Sequence, residues 1–237
     1  MMSNEPKTPR TPGALAAFYL AGAYLVGMAY FLVVVDFPSV HDPLDKIALF
    51  AQHLRGLQLT YLAIYVVFGA ALVVLTWTLH ARLSAKAPAT MRVATSIALI
   101  WAGVLIAGGM ATNLGMETVV ALHADDPARA VTVWLGIETL TSGMTGANGE
   151  FLGGLWTLLV SLVAWRARAL SRGVAALGLL AGAAGVVSTV PGLSALVAGF
   201  GLTQLVWYVG VGIALLRPEP SALVPDGDVT LPGRPHR

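Results

Sequence analysis

The chain has 237 residues, of which 57% are hydrophobic and only 11% carry a charge. A soluble domain usually has about 25% charged residues, so there is too little charge here to cover a soluble globule of this size. The composition therefore excludes a soluble enzyme and a disordered chain, the lack of cysteine excludes a disulfide-stapled domain, and the chain is expected in a lipid bilayer.

Six apolar segments predict transmembrane helices. A helix needs roughly 20 apolar residues to cross a hydrocarbon core of about 30 Å. Because the apolar runs are continuous and do not alternate as barrel strands do, we predict an all-α bundle of six transmembrane helices. The first run is also longer than the roughly 7–15 residues of a signal-peptide core, which favours a retained span. The predicted spans are residues 13–35, 57–79, 93–114, 148–165, 173–190 and 194–216.

The charged residues predict the orientation of the bundle. If the N-terminus is inside, all basic residues except Lys46, Arg55 and Arg129 fall in cytoplasmic segments, and most acidic residues fall outside. Cytoplasmic loops of membrane proteins are rich in Lys and Arg, so both termini are expected in the cytoplasm. No basic patch interleaved with aromatic residues predicts a nucleic-acid partner. The expected division is a cytoplasmic tail (1–12), a transmembrane domain (13–216) and a disordered, proline-rich cytoplasmic tail (217–237).

Two outer loops predict short extracytoplasmic amphipathic helices. Asp42-Pro43 and Asp126-Pro127 each combine an N-cap residue with a proline suited to the first helical turn. Pro43 to Arg82 and Pro127 to Arg166 are also equally spaced. Because side-chain identity between the two halves is low, common topology is favoured over an ancient duplication as the cause.

Small residues recur at four-residue spacing, which lets helix backbones approach closely in a membrane. Packing within one chain is the favoured interpretation, and a homo-oligomer formed through such faces is the alternative. The repeats are Gly178 and Gly182, Ala181 and Gly185, Gly149 and Gly153, and Gly103, Ala107 and Ala111.

Polar residues in or beside the spans are the candidates for function, because they are costly in lipid. For Gln204, near the middle of the last span, an inter-helix hydrogen bond is favoured over a ligand role. For the residues at the outer ends of the third and fourth spans, capping and ligand binding are equally favoured; Asn148 could cap the fourth helix. The predicted ligand-binding set is Asn113, Glu117, Asn148, Glu150 and Gln204, together with Tyr61 and Tyr65.

A metal site is the weaker alternative. His41, His53 and His123 lie in the outer segments near several carboxylates, and divalent metals accept both ligand types. However, no pair of these residues has the tight spacing of a metal motif, so solvated loop residues are the favoured interpretation. No cofactor is expected, because no span contains a lysine for retinal and the chain has neither cysteine nor a Walker A loop.

The C-terminal part of the chain resembles a known family. Residues 149–216 contain GEFLGGLWTLLVSLVAWRARALSRGVAALGLLAGAAGVVSTVPGL and GLTQLVWYVGVGIALL, with Trp165-Arg166 closing one span and Leu177-Gly178 within the next. This pattern resembles the uncharacterised bacterial membrane family called domain of unknown function 4386. The resemblance implies a six-helix protein of the bacterial inner membrane and assigns no catalytic residue.

Three functional hypotheses follow. The favoured one is non-enzymatic: a small solute is bound or transported through an outward-facing polar pocket. The second is a membrane enzyme with an extracytoplasmic metal site built from histidines and carboxylates. The third is a structural or regulatory membrane subunit.

Overall fold

The structure is a computed structural model that describes residues 10–146 and 150–217. Within these residues the protein is helical and contains no strand. The predicted tails, apart from a few residues at their inner edges, and the candidate residue Asn148 lie outside the described ranges. The α-helices are α1 (Arg10–Ala29), α2 (Pro43–Tyr61), α3 (Phe68–Leu83), α4 (Pro88–His123), α5 (Pro127–Thr145), α6 (Phe151–Ala167), α7 (Arg172–Val187) and α8 (Leu196–Leu216).

The first predicted outer helix and the second predicted span form one rod. The Asp42 carboxylate accepts a hydrogen bond from the backbone N–H of Leu44 at 2.7 Å, which confirms the predicted N-cap. However, α2 does not end before the span: it bends at His53 and continues through a π-helical turn, Leu62–Val67, into α3. The prediction of a separate loop helix is therefore wrong here, because no proline interrupts the chain between Pro43 and Leu83.

The next two helices form an antiparallel pair that reaches beyond the predicted third span. The 36 residues of α4 cover about 54 Å, well over the hydrocarbon thickness. Asp126 caps α5 as predicted, accepting a hydrogen bond from the backbone N–H of Arg129 at 3.0 Å. Helix α5 ends at Gly146, whose backbone is in the left-handed conformation. Helix α6 begins after Glu150 and packs against α4, as α5 does.

The two halves of the chain thus match in structure as well as in spacing. Helices α2 and α5 are both 19 residues long, and each is followed by an irregular segment and then by a shorter apolar helix. In the first half the irregular segment is the π-helical turn Leu62–Val67, and in the second it is the break around Gly146.

Glycines allow α6 and α7 to pack with their backbones in contact. A Cβ at Gly154 would lie 2.6 Å from the backbone nitrogen of Val186, and one at Gly182 would lie 2.7 Å from the carbonyl oxygen of Gly154. The structure therefore confirms packing within the chain for the small residues of α7. It does not do so for α4, where the predicted small-residue face is exposed on the outside of the bundle, at Gly103, Ala107 and Ala111.

Two apolar clusters stabilise the bundle. The larger one joins α1, α3, α4, α6 and α8, and it contains the buried side chains of Trp101, Trp156 and Trp207. The smaller one joins α2, α4 and α5 around Phe50 and Trp134, whose ring centroids are 4.6 Å apart. Beside this outer cluster, Lys46 of α2 forms a 2.8 Å ion pair with Glu138 of α5.

The lengths and apolar composition of the helices are consistent with a membrane protein. Within the described residues, four continuous helical segments are long and apolar enough to cross a bilayer: Thr11–Val34, Pro43–Leu83, Pro88–His123 and Leu196–Leu216. Helices α6 and α7 are apolar but shorter, so the predicted count of six spans is not confirmed by length and composition. The side chains of Trp77 and Trp165, near the ends of α3 and α6, are about half exposed, at 53% and 44%.

Candidate functional site

A cavity of about 330 Å³ lies inside the larger cluster. Its wall is mostly apolar and is rich in aromatic rings. The lining residues are Ala23, Tyr24, Gly27, Met28, Phe31 and Leu32 of the first helical segment, Ile64, Tyr65 and Phe68 of the rod, Trp101 and Leu105 of α4, and Thr145 and Glu150 from the junction of α5 and α6.

Irregular backbone surrounds this cavity. The lining includes residues of two π-helical turns, Tyr30–Val34 and Leu62–Val67, and both sides of the break between α5 and α6. π-Helical turns are rare and are frequent at functional sites. In membrane proteins, broken helices in corresponding parts of two halves mark many solute sites. The position of the cavity is therefore unusual for a simple packing defect.

The phenol of Tyr19 supports the second of these turns. Its hydroxyl donates a 2.8 Å hydrogen bond to the carbonyl oxygen of Ala63, within the π-helical turn. An irregular turn leaves backbone groups without their usual helical partners, and these groups are costly to bury unpaired. Tyr19 thus stabilises the turn that carries Ile64 and Tyr65 into the cavity wall.

Glu150 is the acidic residue of the cavity. It occupies the N-cap position of α6, and its backbone N–H donates a 3.1 Å hydrogen bond to the hydroxyl of Ser188. The side chain is mostly buried, and within the described residues its carboxylate forms no hydrogen bond or ion pair. It therefore contributes nothing to capping α6 through its side chain and remains available to a ligand.

Two glycines make room for this carboxylate. A Cβ at Gly146, where φ is +83°, would collide with the Glu150 side chain. A Cβ at Gly153 would lie 2.6 Å from Cζ2 of Trp101 and 3.0 Å from Oε2 of Glu150. The carboxylate consequently lies between two positions without side chains and beside the Trp101 indole.

Aromatic rings form a wall of the cavity next to Glu150. Phe68 is in edge-to-face contact with Tyr24 and with Trp101, at centroid distances of 5.8 and 6.2 Å. Tyr65 packs on Tyr61 at 5.3 Å. This wall places aromatic rings beside the carboxylate in a cavity that is otherwise mostly apolar.

The structure brings only part of the predicted ligand-binding set together. Tyr65 and Glu150 line the cavity, and Tyr61 lies against Tyr65 without being part of the lining. Asn113, Glu117 and Gln204 do not line it, so the expected convergence of the polar residues does not occur for these three.

Each of these three residues has a different environment. The amide of Asn113 donates a 3.1 Å hydrogen bond to the carbonyl oxygen of Gln58, near the end of α2. Glu117, one turn further along α4, is exposed. Gln204 is fully buried and donates a 2.9 Å hydrogen bond to the hydroxyl of Thr157, which is the favoured inter-helix role.

The histidines of the metal alternative are separated along the outer part of the molecule. His41 precedes α2, His53 lies at its bend and His123 ends α4. Among the described residues, no group of three or more His, Asp or Glu side chains is placed to hold a metal ion.

Sequence reasoning missed most of the cavity wall. Tyr24, Phe68, Trp101 and Thr145 were not candidates, because aromatic and hydroxyl side chains in a span are usually packing residues. One sequence signal was present. Gly146 lies as far from Pro127 as Leu62, where the π-helical turn starts, lies from Pro43, so the repeat in spacing indicated the two interruptions that flank the cavity.

Comparisons of the chain with protein-family models, with curated proteins and with solved structures gave no match.

Proposed function

We propose that the protein binds a small solute in the cavity beside Glu150 and moves it across the membrane. The observation that carries this proposal is an unpaired, mostly buried carboxylate in a partly open and mostly apolar cavity. Burying such a group without a partner is costly, and protein structures retain this kind of feature at binding sites. A non-enzymatic role is favoured, since the described lining offers one carboxyl, hydroxyls and aromatic rings but no nucleophile activated by a neighbouring base.

Several features of the molecule support a finer arrangement, also proposed. The chain passes six times along the bundle, so α5 and α6 together act as the fourth span and α7 and α8 as the fifth and sixth. Basic residues of one end, including Arg82, Arg166 and Arg172, would face the cytoplasm with both termini. The outer cluster of α2 and α5 would then lie outside, and the cavity would open towards that side.

The proposed setting is the inner membrane of a bacterium, in a protein related to the domain of unknown function 4386. The support for this is the sequence of α6 to α8. A homo-oligomer joined through small-residue faces stays a prediction, and the exposed face around Gly103 is where it would form.

Filling the cavity tests the proposed binding. Gly27 lines the cavity, whereas Gly22, five residues earlier on α1, has open space beside it. We expect solutes from a broad panel to raise the melting temperature of the purified full-length protein in nanodiscs, since a ligand at about 100 times its Kd stabilises the folded state by about 2.7 kcal/mol. Gly27→Leu should abolish this shift and Gly22→Leu should keep it.

Either of two results would contradict the proposal. In the first, no solute stabilises the wild-type protein. In the second, Gly27→Leu responds to solutes as the wild type does, which would place binding elsewhere. The melting temperatures of both variants without solute report whether the substitutions themselves disturb the fold.

A further inference from the structure

The geometry points to an organic cation as the solute: an ammonium group that pairs with Glu150, with apolar substituents against the aromatic wall. This inference rests on the proposed function and names the class of its ligand. It starts from the sign of the charge in the cavity. Among the described residues that line it, none is Lys, Arg or His, so Glu150 has no cationic partner there.

The aromatic wall favours the same sign. Tyr24, Tyr65, Phe68 and Trp101 line the cavity together with Glu150. The faces of aromatic rings carry negative partial charge and attract ammonium groups that lie within about 6 Å of the ring centroid. An anion would meet repulsion from both the carboxylate and these faces, and a neutral solute would leave the carboxylate unpaired.

The remaining lining distinguishes an organic cation from a metal ion. Calcium takes 6–8 oxygen ligands, and magnesium requires a nearly octahedral set of oxygens. The described lining supplies one carboxylate and a few hydroxyls among mainly apolar atoms. Alkyl groups on a nitrogen cation would instead fill the apolar part of a cavity of this size.

No described cationic side chain competes with such a solute for the carboxylate. The titratable groups that interact electrostatically with Glu150 are Tyr24 of α1, Tyr65 of the rod and Tyr208 of α8. Phenols are neutral near pH 7, so none of the three supplies a counter-charge to Glu150.

The test uses probes that differ in charge. Choline and tetraethylammonium are the cations, and 3,3-dimethylbutan-1-ol is the neutral carbon isostere of choline. Their binding to the full-length protein in nanodiscs is measured by calorimetry near pH 7. We expect at least one cation to bind at least tenfold more tightly than the neutral isostere. Glu150→Gln should abolish cation binding, whereas the exposed Glu117→Gln should leave it unchanged.

The outcomes separate the two proposals. If the neutral isostere or another neutral solute binds as well as the cations, and Glu150→Gln has no effect, the solute cavity stands and the cation is excluded. If Gly27→Leu abolishes binding of a neutral solute while neither cation binds the wild type, the cavity is likewise the solute site and the organic cation is excluded as its ligand. If no probe of either kind binds the wild type, both proposals fail.

Discussion

At the scale of single residues, glycine controls where the Glu150 carboxylate can lie. Gly146 ends α5 with a φ of +83°, a conformation that costs residues with a side chain about 1–2 kcal/mol. It also lies so close to Glu150 that a methyl group would displace the carboxyl. One residue therefore both stops the helix and shapes the site.

Replacing this glycine should affect binding as well as stability. We expect Gly146→Ala to lower the free energy of unfolding by about 1–2 kcal/mol and to weaken solute binding. Gly143→Ala is the matched control, because Gly143 is in the same helix with open space beside it. Thermal unfolding and calorimetric titration of both variants provide the measurement. Equal behaviour of the two would show that Gly146 does not position Glu150.

The residue scale also shows what the sequence could reveal about the site. Glu150 and Tyr65 were predictable because polar groups in a span are few and conspicuous. The role of Asn113, a hydrogen bond to a neighbouring helix, was not predictable, because its partner is the backbone carbonyl of Gln58, 55 positions away in the chain. Asn113 and Glu117 are neighbours on α4 by periodicity, yet one is buried against α2 and the other is exposed, because α2 covers only part of that face.

At the scale of helices, the contact between α6 and α7 depends on the absence of side chains. Gly182 and Gly154 place the two backbones against each other, and the atoms that a new Cβ would meet belong to the main chain. Main-chain atoms of a helix cannot turn aside as a side chain can. The two helices would have to separate.

Gly182→Ala should therefore destabilise the bundle by about 1–3 kcal/mol, the usual cost of overpacking. The control on the same helix is Gly173→Ala, since Gly173 is exposed with nothing nearby. Alanine favours the helical state over glycine by about 1 kcal/mol, so this control should be neutral or stabilising. Unfolding in mixed detergent micelles compares the two. If Gly182→Ala is as stable as Gly173→Ala, the close backbone contact is not required.

Helix boundaries show why element-level prediction was incomplete. Both Asp-Pro starts were predicted correctly, because N-caps and first-turn prolines act locally. The continuity of α2 with α3 was not predicted. Hydropathy locates the apolar run, but it does not show whether the preceding amphipathic helix is continuous with that run. The π-helical turns likewise have no local sequence signature and depend on partners such as Tyr19.

At the scale of the whole molecule, the proposed arrangement of six spans makes a topological prediction. The chain contains no cysteine, so single cysteines can be labelled without background. In intact bacteria expressing the protein, an impermeant maleimide should label Ser39→Cys and Ser194→Cys. It should label Ala85→Cys and Gly173→Cys only after the membrane is permeabilised. Labelling of Gly173→Cys and Ser194→Cys from one side would mean that α7 does not cross the membrane.

The all-helical membrane fold was predictable from composition because lipid leaves a chain few alternatives. Composition could not give the lengths of α4 and of the rod, which exceed the thickness of a bilayer core and carry both helices into the smaller apolar cluster. That extension depends on contacts such as Phe50 with Trp134 between helices distant in sequence.

The depth of Glu150 has an electrical consequence. Glu150 lies 16 positions before Arg166, which is about 24 Å along the helix. With Arg166 at the inner face, as proposed, Glu150 lies within about 6 Å of the outer face of a 30 Å core. In the proposed orientation, a cation arriving from outside crosses about a fifth of the membrane field, gaining about 0.5 kcal/mol per 100 mV, inside negative. The larger share of the voltage acts on the step from Glu150 to the cytoplasm, so the membrane potential would favour inward release far more than it favours capture.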